Sequence, residues 1–107
     1  MTDEPITPQQ MQSVVQELQS TRSQVQAIAS QINEISLTLN ALSSQDENRP
    51  VFRAVGNLLL EVDDRDALAG ELGESKTAFE SHLGKLVERE SDLVSQYEEM
   101  LESFENQ

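Results

Sequence analysis

Few residues in this chain could do covalent chemistry, and their spacing argues against it. His82 is the only histidine, and there is no cysteine. A His-based metal cluster, or a proton shuttle through a second imidazole, therefore has nothing to draw on. Disulfides, thiol nucleophiles and Cys-ligated zinc are excluded outright. His82 itself is expected beside a helix seam or in solvent. Carboxylates do occur in pairs, such as Asp63–Asp64 and Glu98–Glu99. Acid–base catalysis by such a pair needs a concave site that gives the two groups different roles, and acidic helical segments imply none. No glycine pattern for cradling phosphate or a dinucleotide is present. The expectation is a non-enzyme that uses neither cofactor nor metal.

What remains that can act is apolar surface, and two sets of residues stand out. One is crowded into "NRPVFRAVGNLLLEVDDRDAL", residues 48–68, where β-branched and apolar side chains surround a Gly-Asn pair. The other lies near the two termini: Met11, Val14, Val15 and Leu18 on one side, Tyr97, Met100, Leu101 and Phe104 on the other. The chemistry open to such sets is association, either with other copies and subunits or with exposed apolar segments of a client chain. Methionine is adaptable and suits varied contacts.

Composition narrows the partners. The chain has 107 residues, 36% of them hydrophobic and 4% aromatic, which is thin material for a globular core. Its net charge is −13, unevenly spread, with about −3 over residues 1–57 and about −10 over residues 58–107. Nucleic acid is disfavoured, because affinity for phosphate backbones comes largely from Lys and Arg. Anionic lipid is disfavoured for the same reason. The acidity suits recognition of basic or unfolded polypeptide, or simply keeps an exposed coil in solution. The opening "MTDEPITPQQ" lacks the basic and apolar regions of a signal peptide, and no apolar run reaches bilayer-spanning length. A soluble cytoplasmic protein is expected.

The elements that must position these residues can be read from periodicity. After a tail over 1–8, Thr7 is expected to cap a helix whose first residue is Pro8. From Met11 the apolar residues repeat every seven: Met11, Leu18, Val25, Ile32 and Leu39, with Val14, Thr21, Ile28, Ile35 and Leu42 three residues on. Only Thr21 is out of character, so the spacing predicts a coiled-coil helix over 9–46. A second helix over 64–105, capped by Asp63 or Asp64, carries Leu72, Phe79, Leu86, Leu93 and Met100 with Ala69, Lys76, Leu83, Glu90, Tyr97 and Phe104. Leu68, Val87, Val94 and Leu101 widen its apolar stripe enough to meet more than one neighbour. Gly70, Gly73 and Gly84 are unusual in such a helix. They would permit close packing or bending, or are weak spots that the partner helix tolerates.

Between the helices, residues 50–62 read as a β-hairpin turning at Gly56-Asn57. A two-residue turn pairs Val55 with Leu58, Ala54 with Leu59, Arg53 with Leu60, Phe52 with Glu61 and Val51 with Val62. One face then carries Val51, Arg53, Val55, Leu58, Leu60 and Val62, and the other carries Phe52, Ala54, Leu59 and Glu61. Neither face is polar enough to be the wet one. An isolated hairpin is marginal in water, and its edges invite strand addition. Several hairpins from several chains are therefore expected to join, although folding back onto the helix pair is the alternative. The hairpin reverses the chain, so the helices run antiparallel as arms of roughly 55–65 Å, with the terminal residues gathered at the tips. There the apolar set either meets a client or closes the last turns of the coil.

The stretch "VFRAVGNLLLEVDDRDALAGELGES" resembles the prefoldin beta-class subunits, the GimC family, in Phe52, Arg53, Val55, Gly56 and Leu58–Leu60. "ELGES" and "LVERES" fall where related stretches of that family's second helix lie. The architectural likeness spans residues 9–106, and its specific part runs from Val51 to Leu72. His82 stands where the family commonly has arginine, and both archaeal and eukaryotic beta-class membership fit. The resemblance implies one prefoldin-like domain over 1–107, mainly α: a long antiparallel coiled-coil hairpin whose central β-hairpin joins an intersubunit β-barrel. It implies a hexamer of two alpha-class and four beta-class subunits, assembled through Val51, Phe52, Arg53, Val55, Gly56, Leu58, Leu59, Leu60 and Val62. It further implies ATP-independent capture of unfolded polypeptides at the tips, by the terminal apolar set, and delivery to a group II chaperonin. The competing reading is a structural or adaptor coiled coil with one dedicated folded partner.

Overall fold

The element order follows from where the sequence caps, breaks and turns. A computed structural model describes residues 5–106; of the expected tail, residues 1–4 lie outside the described part. Helix α1 spans Pro8–Ser44, strand β1 Phe52–Val55, strand β2 Leu58–Glu61, and helix α2 Arg65–Glu105. The protein is thus two long helices with a central antiparallel β-hairpin.

Helix α1 begins with a reciprocal capping box. The Gln10 amide donates to Thr7 Oγ1 at 3.2 Å, and the Thr7 amide donates to Gln10 Oε1 at 2.9 Å. Two of the N–H groups that lack a helical partner are satisfied in this way. Pro8, with no N–H to satisfy, occupies the first helical position. The helix ends at Ser44, two residues before the expected end at 46. Asp46 explains the difference. Its Oδ1 accepts from the Asn48 amide at 2.9 Å, and its carbonyl accepts from the Arg49 amide at 3.0 Å. Such an Asx turn competes with a further helical turn for the same backbone groups.

Helix α2 is capped by Asp64, the second of the two expected candidates. Its Oδ1 accepts from the Ala67 amide at 3.0 Å and its carbonyl from the Leu68 amide at 3.1 Å. The hairpin register is Phe52–Glu61, Arg53–Leu60, Ala54–Leu59 and Val55–Leu58, as the two-residue turn requires. The Val62 amide adds a bond to the Val51 carbonyl at 2.8 Å, extending the pairing by one residue at the open end. Gly56 has φ +59°, while no non-glycine residue described has positive φ. Positive φ at the first central position alone is the type II′ turn, whose twist matches that of the strands.

Packing divides the chain into two compact units, Met1–Ala29 with His82–Gln107, and Ser30–Ser81. In the first, Val14, Leu18 and Thr21 of α1 and Leu93 of α2 are buried. The helices run antiparallel there, since Val14 neighbours Met100 while Arg22 reaches Glu90. In the second unit the seam residues Ile32, Ile35, Leu39 and Leu42, and Ala69, Leu72, Lys76 and Phe79, are half-buried. Every seam position predicted by the seven-residue repeat is buried or half-buried, except Phe104. No buried side-chain nitrogen or oxygen among the described residues lacks a partner.

Candidate functional site

Two apolar surfaces qualify, one in each unit, and they differ in kind. In the unit Ser30–Ser81 the hairpin leaves both of its faces open. All eight strand residues are exposed, and Leu58 and Leu59 retain 62% and 72% of their accessible surface. Val55, Leu58 and Leu60 lie on one face and Phe52 and Leu59 on the other, because side chains alternate along a strand. Gly56 is exposed, and Val51 and Val62 at the base are half-buried. The expected possibility that the hairpin folds back to cover a face is therefore not realised. Arg53, also exposed, approaches Glu71 of α2 at 3.9 Å.

The base of the hairpin is held by a residue that the sequence reading did not assign. The Arg65 guanidinium, at the first position of α2, donates to the Asp46 carbonyl at 3.1 Å and also to the Arg49 carbonyl. It thereby ties the loop leaving α1 to the start of α2, beside the depression lined by Glu47–Val51, Glu61–Asp63 and Arg65 itself. A lone arginine within the acidic run "EVDDRDAL" is the only signal that could have singled it out.

In the other unit the terminal apolar set divides. Val14 and Leu18 form a cluster with Leu93, which is fully buried, and Val94, Tyr97 and Met100 pack against it. Met11 and Val15 are half-buried. Leu101 and Phe104 remain exposed, at 36% and 43%. Four of the eight expected client-contact residues thus belong to the cluster that closes the coil, and only two present open surface. Val87, which the seven-residue repeat places beside the seam, is 46% exposed on the same helix. Leu37 of α1, off the seam, is also open to solvent. The cluster is bordered by two interhelical ion pairs, Arg22 with Glu90 at 3.3 Å and Arg89 with Glu17.

A Cβ added at Gly70, Gly73 or Gly84 would meet no atom within 4 Å. Close packing within this chain is therefore not why glycine stands at those positions. Among the described residues no cluster of three or more His, Asp or Glu is close enough to share a metal ion. No described helix is long and apolar enough to cross a membrane.

A hairpin offered on both faces between two seam-packed helices defines a subunit built to be completed by other chains. The comparisons with known proteins agree with that class, and the chain belongs to the prefoldin subunit family, whose model matches residues 8–107. Two solved structures share its fold. The prefoldin beta2 subunit of Thermococcus strain KS-1 superposes with a TM-score of 0.73 at 21% identity, covering 83% of this chain and 94% of that one. The prefoldin beta subunit of the same strain gives 0.55 at 24% identity, covering 94% and 93%. No curated protein sequence matches. The fold is that of the beta class, and the family is one of non-enzymatic chaperone subunits.

Proposed function

We propose that this chain is a beta-class subunit of a cytoplasmic, ATP-independent co-chaperone. In this reading residues 1–107 work as one prefoldin-like domain, and the hairpin joins those of alpha-class and other beta-class subunits in a shared β-barrel of a hexamer. The helix ends then hold unfolded polypeptide and pass it to a group II chaperonin. The observation that carries the reading is the hairpin, whose five large apolar side chains Phe52, Val55, Leu58, Leu59 and Leu60 are all exposed in the single chain. Water-exposed apolar strands of this kind are stabilised by adding neighbouring strands and burying both faces.

The test is assembly followed by activity. Mixed with an alpha-class prefoldin subunit, the chain should form a hexamer by size-exclusion with light scattering. The hexamer should suppress aggregation of a denatured protein without ATP. Removing residues 1–15 and 98–107 should weaken suppression and leave assembly intact. A stable monomer or dimer that ignores the alpha-class subunit would sink the reading, as would a hexamer that suppresses nothing.

Burial of Val14 and Leu18 favours a second reading, an adaptor coiled coil with one folded partner. That protein would bind its partner selectively and show no affinity for unfolded chains.

A further inference from the structure

The open apolar surface of α2 within the unit Met1–Ala29 with His82–Gln107 has a composition that selects its occupant. Val87, Val94, Leu101 and Phe104 follow one another at seven, seven and three residues, which places them along one stripe of the helix. Val87, Leu101 and Phe104 are exposed, and Val94 is half-buried. Glu98 and Glu105 lie three residues before and four residues after Leu101, and Glu102 is one turn from Glu98, so these carboxylates edge the stripe on one side.

From Val94 to Phe104 the charge along this stripe is of one sign. From Glu90 to Glu105 the helix holds six acidic residues and no Lys or Arg. Within the same unit Arg22 and Arg89 are engaged by Glu90 and Glu17. Glu98, Glu102 and Glu105 have no ion-pair partner among the described residues. The last turn of α2 carries no basic side chain, so Glu102 and Glu105 also face the negative end of the helix dipole. Like charges three and four residues apart repel as well. An apolar surface edged in this way rejects acidic segments and favours ones that bring cations.

We propose that this face of α2 takes an apolar segment of client polypeptide flanked by Lys or Arg. The apolar side chains of that segment cover Leu101 and Phe104, and its cations meet Glu98, Glu102 and Glu105. The proposal rests on the client-capture reading above and adds a charge preference to it.

The test uses the full-length chain and two labelled peptides that share one Leu- and Phe-rich core, one flanked by lysines and the other by glutamates. Fluorescence anisotropy at low ionic strength should show the lysine-flanked peptide binding about tenfold tighter. The preference should largely vanish at about 0.5 M salt, where surface charges are screened. The triple variant Glu98→Gln, Glu102→Gln, Glu105→Gln should still bind but no longer discriminate. The double variant Leu101→Ser, Phe104→Ser should lose both peptides. Equal binding of the two peptides to the unaltered chain would overturn the charge preference, and the capture reading would stand. Unchanged binding by the Leu101/Phe104 variant would overturn the location. If neither peptide binds, the proposal falls, and aggregation suppression by the assembled hexamer decides separately whether capture falls with it.

Discussion

The hairpin and the helix-end cluster carry comparable apolar side chains and treat them in opposite ways. In the cluster Val14, Leu18 and Leu93 are removed from water and three more apolar residues pack against them. In the hairpin, Phe52, Val55, Leu58, Leu59 and Leu60 all stay in solvent. The difference lies in what each region has beside it. A seam residue on α1 finds α2 beside it in the same chain, whereas the two-stranded hairpin has no third strand and no covering layer among the described residues. The cluster is therefore complete in one chain and the hairpin is not. The cluster should govern the stability of the lone chain, and the hairpin should govern what the chain joins.

The largest effect that follows is on assembly. The double substitution Leu58→Glu, Leu60→Glu puts two carboxylates on one hairpin face. Burying them unpaired in a shared sheet would cost several kcal/mol. Assembly with an alpha-class subunit should weaken by about 100-fold or more, read by light scattering. The helical circular dichroism of the lone chain should be unchanged, since both positions are exposed there. Assembly that survives the double variant would make the hairpin a bystander.

Second in size is the reciprocal test in the cluster. Leu93→Ala removes the one large side chain that is fully buried among the described residues and should destabilise the lone chain by about 2–5 kcal/mol in urea unfolding. Leu59→Ala, at a hairpin position open to water, should change the same measurement by about 0.5 kcal/mol or less. Similar losses at the two positions would erase the contrast between the regions.

That contrast was partly legible in the sequence. The seven-residue repeat located the seam, including Thr21 and the polar interruptions Lys76 and Glu90, because a narrow stripe leaves few other residues to bury. The hairpin register followed from Gly56-Asn57, since a two-residue turn fixes every pair outward from it. The division of the terminal set was not legible. Val14, Leu18, Tyr97 and Met100 share a repeat with residues that could close a coil or offer themselves outward. Only the geometry separates them from Leu101 and Phe104. Arg65 escaped notice for a related reason: its partners are backbone carbonyls of Asp46 and Arg49, and carbonyls have no sequence signature. Asp46 shortened α1 through its own local hydrogen bonds, a competition that heptad counting does not register.

A smaller effect of opposite sign is expected at Gly84, in the same unit as the Leu93 cluster. The added methyl group of Gly84→Ala meets open space, and glycine costs a helix interior about 1 kcal/mol relative to alanine. Gly84→Ala should therefore stabilise the lone chain by up to about 1 kcal/mol and raise its thermal midpoint. A loss of stability would instead show that the position is strained or covered by another chain, and would move part of the cluster's unit into the class of surfaces that await a partner.

The smallest effect tests whether the rim of the cluster matters as its centre does. Arg22 and Glu90 meet at 3.3 Å beside buried Thr21, with side chains 56% and 30% exposed. Exposed ion pairs couple by about 0.2–1 kcal/mol, because water screens the charges and two long side chains must be held still. Glu90 sits in the seam, so its carboxylate is less hydrated than that of a surface residue. A double-mutant cycle of Arg22→Gln and Glu90→Gln should give a coupling near the top of that range at low salt and a smaller one at high salt. If the coupling exceeds the loss caused by Leu93→Ala, the pairing of α1 with α2 in this unit is set by its charged rim. The apolar centre would then no longer explain why one region of the chain stands alone while the other waits for company.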